Sequence, residues 1–220
     1  MGSATLRGSG WPLRMVGDPR WYESVVRGWN HACVNSPHDV IGTFYRDLRI
    51  SAWLYRLVRS ARPSLVVETG VHRGKSSVAI LAALRANGRG RLVSIDLPRR
   101  VPWVNADGKW EGTTVAVGDT GCLVPSAWRD RWTLLLGDAR SLLPEAVRGG
   151  VDLFFHDSEH SFDQMTFEYS TAWAELSVGG ILATDDVNWS EAWPTFLWRT
   201  AGWERMPDGP CYHRSVRRVG

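Results

Sequence analysis

Residues 64–77 read Ser64-Leu65-Val66-Val67-Glu68-Thr69-Gly70-Val71-His72-Arg73-Gly74-Lys75-Ser76-Ser77. A short apolar run, Leu65 to Val67, ends on an acid and is followed by two glycines four apart. From Ser76 onward the apolar positions Val78, Ile80, Leu81 and Leu84, with alanines between them, have helical spacing. The stretch predicts a strand, a tight glycine turn and a helix N-terminus. In an α/β protein that junction is where a nucleotide-like ligand sits.

The rest of the chain repeats the rhythm. Further strands are predicted at Arg91–Asp96, Trp132–Leu136, Val151–Phe155 and Ile181–Thr184. Helical stretches lie between them at Ser76–Ala86, Pro125–Arg129, Pro144–Val147 and Phe162–Leu176. Alternating short apolar strands and helices argue for an α/β fold, a parallel sheet covered by helices on both faces. Ser190–Thr200 adds a helix, and Glu204–Met206 with Cys211–Val216 read as a closing hairpin. Upstream, 1–19 is a loose leader, Trp21–Trp29 a short helix and Thr43–Ser60 a longer one, ended by Arg62-Pro63. The organisation expected is therefore leader and N-terminal helices over 1–62 and one α/β domain over 63–220. Leu97–Gly121 breaks the rhythm with prolines, glycines, Trp103 and Trp110, and reads as a lid or substrate loop.

Composition narrows the function. A net charge of +3 comes mainly from scattered arginines, with one cluster at the tail, Arg214 with Arg217-Arg218. No basic stripe with interleaved aromatics is present, so a nucleic-acid partner is not expected. No apolar run approaches the ~18 residues a membrane span needs, so no membrane partner is expected either. Cys33, Cys122 and Cys211 have neither metal nor disulfide spacing. They read as buried free thiols, which points to the cytoplasm. Homo-oligomerisation is left open.

In a parallel sheet, ligands bind beyond the carboxyl ends of the strands, and every such end here carries an acid. These are Glu68, Asp96, Asp138 after Gly137, Asp157 within His156-Asp-Ser-Glu-His160, and the pair Asp185-Asp186. An acid ending the second strand is the usual partner of ribose hydroxyls. The turn is not the dinucleotide fingerprint, because His72 stands where a middle glycine would. Nor is it a Walker A loop, which needs four residues between its glycines where this chain has three. If the strands ending at Asp157 and Asp185 are neighbours, three carboxylates crowd one volume about 5 Å across. A divalent cation resolves their repulsion, and an oxygen set suits Mg²⁺ or Ca²⁺. Helix capping by Asp157 or Asp185 is the competing explanation. His160 reads equally as a general base or as a capping or surface residue, and His156 either orients Asp157 or packs.

Taken together, Glu68-Thr-Gly-Val-His-Arg-Gly74, Val93-Ser-Ile-Asp96, Gly137-Asp138-Ala139, His156-Asp-Ser-Glu-His160 and Gly179-Gly-Ile-Leu-Ala-Thr-Asp-Asp186 resemble class I S-adenosylmethionine-dependent methyltransferases. The closer resemblance is to the metal-dependent natural-product O-methyltransferases, the group of macrocin and mycinamicin sugar methyltransferases and cephalosporin-hydroxylase-like proteins. It covers roughly Pro63 to Val187. It implies a Rossmann-like, mostly parallel seven-stranded sheet with an N-terminal helical extension. It implies that Glu68, Thr69, Gly70, Gly74 and Ser76 cradle the methionine end of S-adenosylmethionine, that Asp96 takes the ribose hydroxyls, and that Asp138 and Ala139 meet the adenine. Asp157, Asp185 and Asp186 match the family's ligands for Mg²⁺ or another divalent cation, and His160 matches its general base. Members often have Glu-Asp where this chain has Asp185-Asp186, and the shorter Asp185 departs from that pattern. The acceptor implied is a small-molecule hydroxyl, such as a natural-product or sugar intermediate. Two other readings compete: a nucleotide-dependent transferase with Gly74-Lys75-Ser76 as a degenerate phosphate loop, and a catalytically silent cofactor-binding protein.

Overall fold

Leu65–Thr69 forms the strand β1 of a computed structural model, which describes residues 40–97, 103–111 and 117–220. In chain order the elements are α1 (Val40–Ala61), β1, α2 (Lys75–Asn87), β2 (Arg91–Asp96), β3 (Trp103–Val104) and β4 (Trp110–Glu111). Two 3-10 turns follow at Val117–Asp119 and Ser126–Arg131. Then come β5 (Trp132–Leu136), α3 (Ala139–Val147), β6 (Val151–His156), α4 (Phe162–Glu175), β7 (Leu176–Thr184), α5 (Ala192–Arg199), β8 (Trp203–Arg205) and β9 (Arg214–Arg218). The expected leader at 1–19 and helix at Trp21–Trp29 lie outside the described residues.

Seven strands make one sheet in the order β5-β2-β1-β6-β7-β9-β8. β5, β2, β1, β6 and β7 are mutually parallel, whereas β9 runs antiparallel to both β7 and β8. This is the parallel sheet with a closing hairpin that the strand pattern predicts, and the Rossmann-like seven-stranded sheet that the resemblance implies. Successive residues of a strand face opposite ways, and the core divides accordingly. Val66, Leu153, Phe155, Ile181 and Ala183 pack under α1 and α2 with Leu54, Val58, Ile80 and Leu84. Val67, Phe154 and Leu182 point the other way, against α3, α4 and α5 with Leu143, Met165, Tyr169 and Phe196. Each fully buried Leu or Phe contributes roughly 1.5–3 kcal/mol. Both faces must therefore be covered for the strands to remain paired.

Asn87 fastens the N-terminal helix to this core. Its Nδ2 donates to the Val58 carbonyl (2.9 Å) and its Oδ1 accepts from the Arg59 guanidinium. Because Asn87 is buried, Asn87→Ala is expected to cost about 1–3 kcal/mol, read as a lowered midpoint in urea.

Several boundaries differ from the sequence reading, each for a local reason. β7 starts at Leu176 instead of Ile181 because Gly179-Gly180 forms a bulge in the strand rather than a break. The pairing register with β6 shifts between Val151 and Leu153. α3 begins at Ala139, since Asp138 caps it by accepting from the Arg140 N–H (2.9 Å), and Pro144 lies inside the helix. The aperiodic Leu97–Gly121 connection contains an antiparallel ribbon, β3 with β4. Cys122 and Cys211 are free as expected but exposed, not buried, because both stand in turns. Cys33 lies outside the described residues. Among the described residues no helix is long and apolar enough to cross a membrane.

Candidate active site

The chain order runs β1, β2, β5 towards one edge and β6, β7 towards the other, so the topological switch falls between β1 and β6. Over the carboxyl ends at that switch lies a cavity of about 930 Å³. Gly70, Ser76, Asp96, Asp138 and Ala139 line it on one side, and Asp157, His160, Asp185 and Asp186 on the other. The structure thus brings nine of the twelve expected site residues into one chamber. Glu68, Thr69 and Gly74 stand behind its wall.

The glycine turn is shaped by protein neighbours. Gly70 has φ +81°, and a Cβ there would lie 1.8 Å from the Asp157 carbonyl oxygen. Its glycine is needed for the turn to press against the strand end of β6. Asp96 holds the same turn, since its Oδ2 accepts from both the Val71 and His72 N–H groups at 2.7 Å. Those are amides that a phosphate would need, and they already point at a carboxylate, which argues against a phosphate loop. Asp96 nonetheless lines the cavity, where an acid suits ribose hydroxyls.

Behind the turn, Glu68 is fully buried. Its Oε2 accepts from the hydroxyls of Ser77 (2.6 Å) and Ser94 (2.7 Å), while Oε1 has no partner. Burial raises its pKa above the ordinary carboxylate value, the serine hydrogen bonds pull it back in part, and the charge of Asp96 adds to the rise. A raised folded-state pKa gives stability that is present below the unfolded pKa of about 4.5 and lost as pH rises through the folded value. Ionisation of Glu68 is therefore a cost to the folded protein, and a cation entering the cavity offsets it. Glu68→Gln is expected to spare the ligand-free protein that loss of stability as pH rises. It should also flatten the pH dependence and weaken cofactor binding, as checked by urea melts across pH and by calorimetry.

In the other half, β6 and β7 are adjacent and in register at His156 and Thr184, so Asp157 and Asp185 emerge side by side. Both carboxyl groups line the cavity. Burial, then the charges of Asp185 and Asp186, push the Asp157 carboxyl well above the ordinary range. Its side chain is 36% exposed on the cavity wall, where solvent weakens the effect of burial and the repulsion among the acids remains. Burial would also raise Asp185. There, however, the hydrogen bond and charge of His213, the charge of His160 and the N–H of Asp186 prevail and hold it below the ordinary value. His213 Nε2 is 2.8 Å from Asp185 Oδ1, and its Nδ1 donates to the Pro210 carbonyl at 2.8 Å. His160 Nε2 is 4.0 Å from Asp157 Oδ1.

Two carboxylates at neighbouring strand ends repel each other, and a divalent cation can relieve that repulsion. Mg²⁺ is commonly held by one or two carboxylates, with water and substrate oxygens completing its shell. Asp157 and Asp185 fit that donor set. The expected set of three carboxylates does not form: among the described residues no three His, Cys, Asp or Glu side chains converge as a metal site. Asp186 follows Asp185 directly in a left-handed turn (φ 45°), with its N–H given to Asp185 Oδ1 (2.6 Å). It adds charge to the cluster.

Three further residues shape the site. His213 reaches Asp185 because β9 runs antiparallel to β7, opposing Thr184 to Arg214. Glu168 lies behind the site on α4. Its signal in the sequence is a carboxylate inside the buried stripe Met165, Tyr169, Ala172. Trp189 lines the cavity with its ring 5.3 Å from that of His160 and the Lys109 ammonium 5.8 Å from its centre. The β3–β4 ribbon reaches the same place: Asp107 accepts from the Phe162 N–H at the start of α4 (2.8 Å), and Ala106 lines the cavity. The side chains of Trp103 and Trp110 lie outside the described residues.

A family model described as a methyltransferase domain matches residues 67–187. No curated protein sequence matches the chain. Among solved structures, the S-adenosylhomocysteine-bound methyltransferase PaMTH1 of Podospora anserina aligns over 100% of both chains, with TM-score 0.65 and 14% identity. The calicheamicin methyltransferase CalS11 aligns over 97% of this chain and 99% of its own, with TM-score 0.61 and 21% identity. The O-methyltransferase of Bacillus cereus aligns over 94% and 93%, with TM-score 0.61 and 15% identity. At these identities the likeness is one of fold.

Proposed function

The chain belongs to the methyltransferase domain family and is an S-adenosylmethionine-dependent methyltransferase, and from that premise we propose that it methylates a hydroxyl of a small molecule beside a divalent cation. The observation that carries this reading is the placement of Asp157 and Asp185 at adjacent strand ends, with His160 4.0 Å from Asp157, in the chamber that Asp96 also lines. When bound, the cofactor supplies a methyl group on a sulfonium sulfur, and Mg²⁺ lowers the pKa of a neighbouring hydroxyl.

The chain's residues do the rest. Asp96 engages the ribose, and Asp138 with Ala139 borders the adenine end. Ser76 and Gly70 flank the methionine end, with the carboxylate of Glu68 behind them. Asp157 and Asp185 would hold the cation, His213 would keep Asp185 ionised and aimed, and Asp186 would add negative charge. His160 would take the proton of the acceptor hydroxyl on a ring nitrogen as that oxygen accepts the methyl group the cofactor would supply. Orientation supplies most of the rate, because the reactive group arrives on the cofactor.

CalS11 is a TDP-rhamnose 3'-O-methyltransferase of calicheamicin biosynthesis, which supports a sugar or other natural-product intermediate as the acceptor here. The free thiols of Cys122 and Cys211 support a cytoplasmic setting.

The experiment is a methyl-transfer assay on acceptors with neighbouring hydroxyls, catechol and a nucleotide-linked deoxysugar among them, with and without EDTA. Transfer to oxygen that EDTA lowers at least about tenfold and Mg²⁺ restores is expected. Full activity in EDTA would remove the cation from the scheme.

A further inference from the structure

Behind His160 lies a buried polar cluster that the chemistry above does not use. Glu168 is fully buried, yet each carboxylate oxygen has two donors. Oε2 accepts from Thr69 Oγ1 (2.5 Å) and faces His156 Nδ1 (2.7 Å). Oε1 accepts from Ser158 Oγ (2.7 Å) and Gln164 Nε2 (2.8 Å). Burial opposes its ionisation, but the charge and hydrogen bond of His156 with those hydroxyls hold its pKa below the ordinary value. One side chain on α4 thus ties together the end of β1, the end of β6 and the loop that carries Asp157 and His160.

The second link is aromatic. The His156 ring is fully buried and meets the His160 ring at 5.3 Å and the Tyr169 ring at 5.4 Å, both edge to face. On another side His160 meets Trp189. His156 is itself fixed by Glu168 through Nδ1, so its ring cannot turn without breaking a buried charge-assisted hydrogen bond. An imidazole that must take a proton in line with a reacting oxygen needs such a fixed orientation.

We propose that Glu168 and His156 are positioning residues: Glu168 clamps the His156 ring and Ser158, and through them sets the orientation of His160 in the cavity. The proposal rests on the reading of His160 as the proton acceptor, and it assigns Glu168 and His156 no contact with substrate or cofactor. Outer partners of this kind typically change activity 10–100-fold when removed.

The test uses the full chain with S-adenosylhomocysteine added and reads His160 directly, through the carbon-bound ring protons in NMR, assigned with His160→Asn. In the native protein these signals are displaced by the neighbouring His156 and Trp189 rings. In Glu168→Gln, and in Ser158→Ala should Glu168→Gln not fold, they are expected to move towards free-histidine values. In Glu168→Gln affinity for S-adenosylhomocysteine should stay within about twofold, since Glu168 does not line the cavity. With any acceptor that turns over, kcat should fall about tenfold or more at nearly constant KM. In a His160→Ala background the same substitutions should cost no more than about twofold. Unmoved His160 signals in a folded variant, a loss residing in cofactor affinity, or effects that multiply with His160→Ala would each overturn the proposal. Native turnover in His160→Ala is a different failure, which removes the proton-acceptor role while the ring signals still report the clamp.

Discussion

Gly70→Ala is expected to abolish the cofactor half of the site and to cost about 3 kcal/mol or more of stability. Two effects add at this residue. Its φ of +81° is a conformation that an alanine adopts only with strain. The new methyl would also lie 1.8 Å from the Asp157 carbonyl oxygen, 2.3 Å from its carbon and 2.8 Å from the Ser158 nitrogen. All three neighbours are backbone. The Asp157 N–H is bonded to the Thr69 carbonyl (2.9 Å), so the strand end cannot retreat without breaking the β1–β6 junction. The Gly70 N–H donates to the Ile95 carbonyl (2.9 Å), which fixes the turn from its other side. Urea denaturation and calorimetric titration with S-adenosylhomocysteine check this together: the midpoint should fall and binding should vanish. A Gly70→Ala protein with native stability would contradict the close approach described here.

His160→Ala is expected to lower methyl transfer by about 10²–10⁴-fold, the usual contribution of a general base, with cofactor affinity unchanged. Asp157→Asn is expected to fall as far by another route. The variant loses one of the two carboxylates proposed to hold the cation. The two variants should separate in Mg²⁺ titrations. His160→Ala should keep the native half-saturation, whereas Asp157→Asn should need at least about tenfold more cation. Stability should also part them. Asp157→Asn removes the repulsion that raises this carboxyl, so the apo variant should melt no lower than the native protein at pH 8, while its activity is lost.

What the sequence makes legible follows from range. The strand, turn and helix at Leu65–Ser77 are encoded by near neighbours, and the two-residue alternation of Val66 and Val67 or of Phe154 and Phe155 already assigns them to opposite faces. The acid at each parallel strand end is equally local, which is why Asp96, Asp157 and Asp185 could be placed around one cavity. The partners of those acids could not be. Glu168 meets Thr69 across 99 positions of chain. His213 reaches Asp185 only through the register of an antiparallel hairpin whose boundaries are not encoded locally. The role of Gly70 was legible as a tight turn, but its reason is the approach of Asp157, a residue of another strand. Asp186 follows Asp185 into the same cavity, but its left-handed backbone is set by the turn after β7 and was not legible in the sequence.

The most direct measurement follows a labelled methyl group from S-adenosylmethionine into product with the purified chain, Mg²⁺ and acceptors carrying neighbouring hydroxyls, in the native protein and in His160→Ala. The site described here predicts label on a product oxygen with stoichiometric S-adenosylhomocysteine, and at least about a hundredfold slower transfer in the variant. Label on nitrogen or carbon, or transfer at the native rate in His160→Ala, would contradict it.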